Sequence, residues 1–118
     1  MKQTIEIKKK LASDWFKFLQ DKIINEFQLL ENEMEKKDKI KKKYFIKKKW
    51  KKDNKKEGGG NSYVLSGGRI FDKVGVNQST VSGQFEKTFR SKILGAEKNG
   101  KYWATGISVV AHMKNPKI

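Results

Sequence analysis

The sequence predicts an α+β fold: one N-terminal amphipathic helix, then four or five antiparallel strands in meander. Three observations predict it. Leu11, Trp15, Phe18, Leu19, Ile23, Phe27, Leu30 and Met34 recur at helical spacing through residues 7–36, with no Gly or Pro between them. From residue 62 onward, β-branched and aromatic residues mix with small and polar ones, and glycines punctuate them. Residues 101–116, KYWATGISVVAHMKNP, form the longest such run, closed by the only proline, Pro116.

Composition allows one domain at most over residues 1–118. Residues 1–36 supply the helix, 37–61 a Lys-rich and Gly-rich connection with one short strand, and 62–118 the antiparallel strands. Ser13 suits a helix cap and Asp14 a first turn. A stripe as wide as Leu11 to Met34 must pack on something, most simply a sheet. Residues 36–43 read as a charged linker or a frayed helix end. Residues 44–50, YFIKKKW, alternate well enough for a short strand ending at Trp50.

Gly58-Gly59-Gly60-Asn61 reads as a breaker. It is not a phosphate-binding loop, because no Gly-Lys-Ser/Thr follows to open a helix. Residues 62–66 and 69–76 flank Gly67-Gly68 and predict a hairpin with a primed turn. Residues 77–84 continue extended, and Gly75 and Gly83 within them suggest a bulge or a close backbone approach. Residues 86–100 are polar and carry a short helix, and Asn99-Gly100 turns into the last strand.

That strand has two unlike faces. Trp103, Thr105, Ile107, Val109 and Ala111 share one, almost wholly apolar. Tyr102, Ala104, Gly106, Ser108, Val110 and His112 share the other, and His112 is the only histidine in the chain. The pattern suits a sheet with its core beneath and a site above.

Charge is the other strong feature. Twenty-eight Lys and Arg against 13 Asp and Glu give +15, and mean hydropathy is −0.82, so the core must be concentrated outside the Lys-rich middle. Thirteen lysines lie in residues 36–56. Such a block binds polyanions, and a small nucleic-acid-binding module using residues 36–56 is the alternative function. Only Arg69 and Arg90 are arginine, which weighs against that alternative, since Arg is preferred for bidentate phosphate and base contacts. No apolar run has membrane-span length, and residues 1–16 lack a secretory pattern, so a cytoplasmic protein is expected. Absence of cysteine excludes disulfides, thiolate nucleophiles and Cys-ligated metals.

Composition and spacing alone identify no reaction. Ser108 and His112 lie roughly 13 Å apart along one strand, too far for a Ser–His pair. Asp72, Glu86 and Glu97 are the carboxylates available to join His112 at a metal, and none has metal-motif spacing.

Two stretches carry more. GGGNSYVLSGGRIFDKVGVNQSTVSG, from Gly58, resembles the early signature of the oxygen-dependent coproporphyrinogen III oxidases: a glycine run, Ser-x-Val, a Gly turn, an aromatic, an acid, Lys, then Gly-Val-Asn-x-Ser-x-Val-x-Gly. YWATGISVVAHMKNP resembles that family's aromatic-x-Ala-x-Gly-x-Ser-x-Val-x-His-Pro-x-Asn-Pro strand. The helix, Trp50 and basic run upstream also look like the family.

The resemblance implies a large flat antiparallel sheet flanked by helices, working as a homodimer. It implies oxidative decarboxylation of two propionates of coproporphyrinogen III to vinyl groups, with O₂ consumed and CO₂ and H₂O₂ released, on the haem route. It implies no organic cofactor, and a divalent metal whose requirement is disputed. Ser108 matches the family's substrate-contacting serine, and His112 a histidine assigned as a possible metal ligand. Three departures stand out: His112-Met113 replaces His-Pro, Asp72 replaces Glu, and Asn61 takes the fourth place of the glycine run. The family continues, after the point matching Pro116, with Pro-Thr-x-His-x-Asn-x-Arg, which supplies its proton donor. The expectation is therefore the first third of such an enzyme, with no catalytic residue of its own and inactive alone. An open sheet edge and a bare patch at Trp103, Ile107 and Val109 are expected to drive self-association.

Overall fold

The computed structural model describes residues 2–33, 43–53, 57–93 and 99–117. Helix α1 (Lys2–Glu33) is followed by β1 (Ile46–Lys51), β2 (Gly58–Ser66), β3 (Phe71–Gln84), the one-turn helix α2 (Lys87–Arg90) and β4 (Lys101–Met113). The strands form one antiparallel sheet in the order β1-β2-β3-β4, the expected meander. Met34, residues 36–42 of the linker, Lys55, Lys56, Leu94 and Glu97 lie outside the described residues.

Helix α1 lies across β3 and β4, antiparallel to β3. Its Lys9 sits over the Trp103 ring, Gln20 reaches Val76, and Glu31 reaches Phe71. The core between helix and sheet is small. Phe71, Val74 and Val76 are buried, with Ile23, Ile24, Phe27, Phe45, Ile107 and Met113 packed around them. Phe27 meets Phe71 edge-on at 5.0 Å between centroids. Leu65, opposite Val74, is fully buried.

The helix differs from its sequence reading in two ways. It begins at Lys2, so Ser13 is interior: its hydroxyl donates to the Lys10 carbonyl, and Asp14 pairs with Lys10 instead of capping. Its sheet-facing side also mixes apolar Ile23, Ile24 and Phe27 with Gln20 and Glu31. Leu11, Trp15 and Phe18, expected in the core, are more than half exposed, together with Ile5, Ile7 and Leu29. Counting apolar positions located the wider stripe. The sheet instead takes the side whose polar groups meet its backbone.

Those polar groups are all satisfied. The Gln20 amide donates to the carbonyls of Asn61 and Val76, each at 3.0 Å. The buried Glu31 carboxylate accepts from the backbone N–H of Arg69 at 2.7 Å and of Ile70 and Phe71 at 2.9 Å. This explains why β2 and β3 are not joined by a two-residue primed turn. Strand pairing stops at Ser66↔Lys73, and residues 67–70 form a wider loop wrapped on that carboxylate. Gly67 at the head of this loop has positive φ, at 63°.

Two glycine expectations are also corrected. Gly58–Asn61 does not break the chain but opens β2. A Cβ at Gly59 would strike the Trp50 carbonyl, and one at Gly60 the Gln78 carbonyl, so only glycine lets the three strands close up here. The register shift in β3 is at neither Gly75 nor Gly83, although at Gly83 the Tyr102 ring does approach closely, where a Cβ would strike it. It lies between Phe71 and Lys73, where Phe71 pairs with Met113 and Lys73 with His112. Asp72 is the extra residue of a β-bulge.

The expected bare patch is largely covered: Ile107 packs on the core and Trp103 is half-buried, while Val109 keeps 42% exposure.

Candidate functional site

Alternation along β4 holds as the sequence predicts, and β3 alternates in the same way. Val74, Val76 and Gln78 face the helix, opposite Ala111, Val109 and Ile107. The other face of the sheet is not covered by α1, and small residues alternate there with larger ones; Phe85, leading into α2, stacks on Tyr102 at one end of it. β3 presents Lys73, Gly75, Asn77 and Ser79, paired in turn with His112, Val110, Ser108 and Gly106. β2 adds Val64 opposite Gly75 and Ser62 opposite Asn77. From β1 come Ile46, Lys48 and Trp50.

Ser108 and His112 both stand exposed on this open face. Ser108 is central, with Asn77 as its cross-strand partner, and Asn77 accepts a hydrogen bond from the Ser62 hydroxyl. The Ser108 hydroxyl itself makes no hydrogen bond among the described residues. His112 lies near the end of the strand against Lys73. The bulge at Asp72 creates that pairing. Without it, Phe71 and Lys73 would point the same way. With it, Phe71 enters the core and Lys73 turns to the open face. Met113, where the family pattern has proline, continues β4 opposite Phe71 and packs on the core.

Ser62, Val64, Lys73, Gly75, Asn77, Val110 and His112 line a hollow of about 290 Å³. Sequence reading singled out Ser108 and His112 but missed Lys73 and Asn77 as site residues. The available signal was the same period of two, applied to KVGVN as well as to GISVVAH.

A metal at His112 finds little support here. No three His, Asp or Glu side chains stand together among the described residues, and the nearest charged neighbour across the strand is the Lys73 cation. Asp72 is exposed in the bulge beside Lys73, and Glu86 stands at the N-cap position of α2 without a side-chain cap. The described residues alone do not complete a metal site, so no chemical step is assigned to one.

The lysines of β1 divide between faces. Lys47, Lys49 and Lys51 are on the helix side of the sheet, with Lys47 over the Tyr63 ring, and Lys48 is on the open side. Lysines on an outer strand are also a common guard against edge-to-edge pairing.

The class these features define is an α+β binding platform: a sheet braced by one helix, whose free face is broad, glycine- and serine-rich, and edged with cations. Such a face suits a wide, flat, anionic ligand better than a compact one. The particular family follows from comparison. Residues 12–118 match the family model described as coproporphyrinogen III oxidase, and the chain belongs to that family. It is 44% identical over 110 residues to an oxygen-dependent coproporphyrinogen-III oxidase of Rickettsia bellii, and 46% identical to those of Rickettsia felis and Rickettsia prowazekii. Each alignment covers 93% of this chain and 38% of the relative, so the chain spans well under half the length of these proteins. No helix among the described residues is long and apolar enough to cross a membrane.

Proposed function

We propose that this chain forms part of the substrate platform of an oxygen-dependent coproporphyrinogen III oxidase, a cytoplasmic homodimer of haem biosynthesis that uses no organic cofactor. For each of two propionates the reaction is R–CH₂–CH₂–COOH + O₂ → R–CH=CH₂ + CO₂ + H₂O₂. The C–COOH bond breaks, one hydrogen leaves the adjacent carbon, and two electrons pass to O₂. The observation that carries this reading is the shared open face of Ser108 and His112, level with glycines and free of the helix. Ser108 is proposed to contact the tetrapyrrole, and His112 to border the reacting side arm. A role for His112 as a metal ligand would need ligands beyond those described.

The test is equilibrium binding of coproporphyrinogen III without air. We expect saturable binding, weakened about fivefold by Ser108→Ala, as loss of one net hydrogen bond gives. In air, the 118 residues alone should release no CO₂ above background, and turnover at enzyme-like rates would refute that part. Sedimentation equilibrium tests dimerisation. Screening of the +15 charge should strengthen self-association at high salt, and a monomer at both low and high salt would count against it.

The second reading, nucleic-acid binding by residues 36–56, is favoured by one observation. Lys17, Lys47, Lys49 and Lys51 surround a depression beside β1. It predicts RNA or DNA affinity falling linearly in log salt with a steep slope. Micromolar binding that survives physiological salt would promote it.

A further inference from the structure

Gly75 has no local reason to be glycine. Its φ is not in the left-handed region, and a Cβ built on it meets nothing within 4 Å. Glycine inside a strand costs about 0.5–1 kcal/mol relative to alanine, and here no turn, bulge or close strand accounts for that cost. The bulge lies at Asp72, two residues before Lys73's neighbour Val74 resumes the regular ladder.

What the missing side chain does make is the hollow. Val64 and Val110 are its cross-strand partners on either side, and Lys73 and Asn77 flank it along β3. Ser62 and His112 are diagonal neighbours. With Gly75 as the floor, these six residues are the whole lining. A branched side chain at position 75 would fill it.

The lining has a definite chemistry. Its two walls are valines, and Val110 is 52% exposed. Its only permanent charge is Lys73, which makes no ion pair among the described residues, and no carboxylate lines the space. A short methylene arm ending in a carboxylate matches this: methylenes lie between Val64 and Val110, and the carboxylate reaches the Lys73 ammonium. Gly106, on the same face, is equally open. It pairs with Ser79, four residues from Gly75, a span of roughly 13 Å along the strand. A flat ring can therefore lie over Gly106 and Ser108 while one arm descends at Gly75.

We propose that the hollow over Gly75 is a carboxylate-arm subsite, in which Lys73 holds one propionate of the tetrapyrrole and Gly75 leaves the room for it. This rests on the platform reading above and adds to it a specificity-determining pair.

The experiment is titration of the ¹⁵N-labelled chain with coproporphyrin III, the stable oxidised ring with the same four propionates, read by amide shifts and by fluorescence. Lys73→Met removes the charge at nearly constant length, Gly75→Val fills the space, and Lys101→Met, at the far end of β4, controls for lost net charge. Wild-type shifts should centre on Val64, Gly75, Val110 and His112. Lys73→Met should weaken binding about tenfold, the value of one charged hydrogen bond, and Lys101→Met less than twofold. Gly75→Val should abolish the shifts at Val64 and Val110. If the wild type binds on the open face and Lys73→Met binds equally well, the subsite is wrong and the platform reading stands. If the folded wild type does not bind coproporphyrin III, or binds it on the helix side, both fall. Lys73 is exposed, so its variant keeps the test decisive even should Gly75→Val fail to fold.

Discussion

The two faces of the same sheet are built to opposite rules. Under α1 the positions along β2 and β3 are filled: Leu65, Val74 and Val76 are wholly buried, and the polar Gln20, Glu31 and Gln78 among them are as buried as the valines. One residue further along each strand, on the other face, stand Gly75, Asn77 and Ser108. Stability is invested on one side and space is kept on the other. A sheet that packed both faces alike would have no platform.

The largest effect should come from the covered face. Glu31→Ala leaves the N–H groups of Arg69, Ile70 and Phe71 without their acceptor. Each buried donor left unsatisfied costs about 1–3 kcal/mol, so a loss of about 3–5 kcal/mol in urea unfolding is expected. Glu31→Gln should recover part of it, since one amide oxygen remains. A loss under about 1 kcal/mol would mean that the 67–70 loop is held by something other than the helix.

Next come two neighbours that face opposite ways. Val76→Ala should cost about 2 kcal/mol, from lost burial and the cavity left behind. Gly75→Ala should raise stability by about 0.5 kcal/mol, because alanine is better than glycine in a strand and meets nothing there. The same Gly75→Ala change should weaken coproporphyrin binding. Opposite signs for stability and binding at one residue would sharpen the contrast between faces, and a destabilised Gly75→Ala would break it.

How legible was this contrast in the sequence? For β4 it was fully so, because alternation of Trp103, Ile107 and Val109 with Ser108 and His112 depends only on the strand's own period. The face of α1 was not legible. Gln20 and Glu31 are polar, and nothing local shows that their partners are carbonyls and N–H groups more than 35 residues away. The apolar stripe of Leu11, Trp15 and Phe18 therefore attracted the core assignment. Gly58–Asn61 failed for a similar reason: a glycine run breaks a strand in isolation, but between β1 and β3 it is what lets the strand fit. The Lys73–His112 pairing needed the bulge at Asp72, which carries no glycine to announce it.

The smallest effect belongs to α1 itself, outside either face of the sheet. Lys10 Nζ lies 2.6 Å from Asp14 Oδ2, one helical turn away. That hydrogen bond chiefly holds the Asp14 carboxyl below its usual value of 3.8, with the Lys10 and Lys17 charges adding to it and partial desolvation opposing it. A carboxyl whose folded pKa is depressed contributes stability above its unfolded pKa and loses it as pH falls through the folded one. The helix should therefore lose this support only below the ordinary carboxylate range. Both groups are exposed, so the contribution is slight and salt should screen it. A ¹³C titration of the Asp14 carboxyl should give a midpoint below 3.8, rising toward it in high salt or in Lys10→Met. The midpoints of the covered-face variants should match wild type, since Glu31 lies about 25 Å along the helix from Asp14 and Val76 lies in β3. A shift of the Asp14 midpoint in Glu31→Gln would show instead that the two positions on α1 are coupled through the helix as a whole.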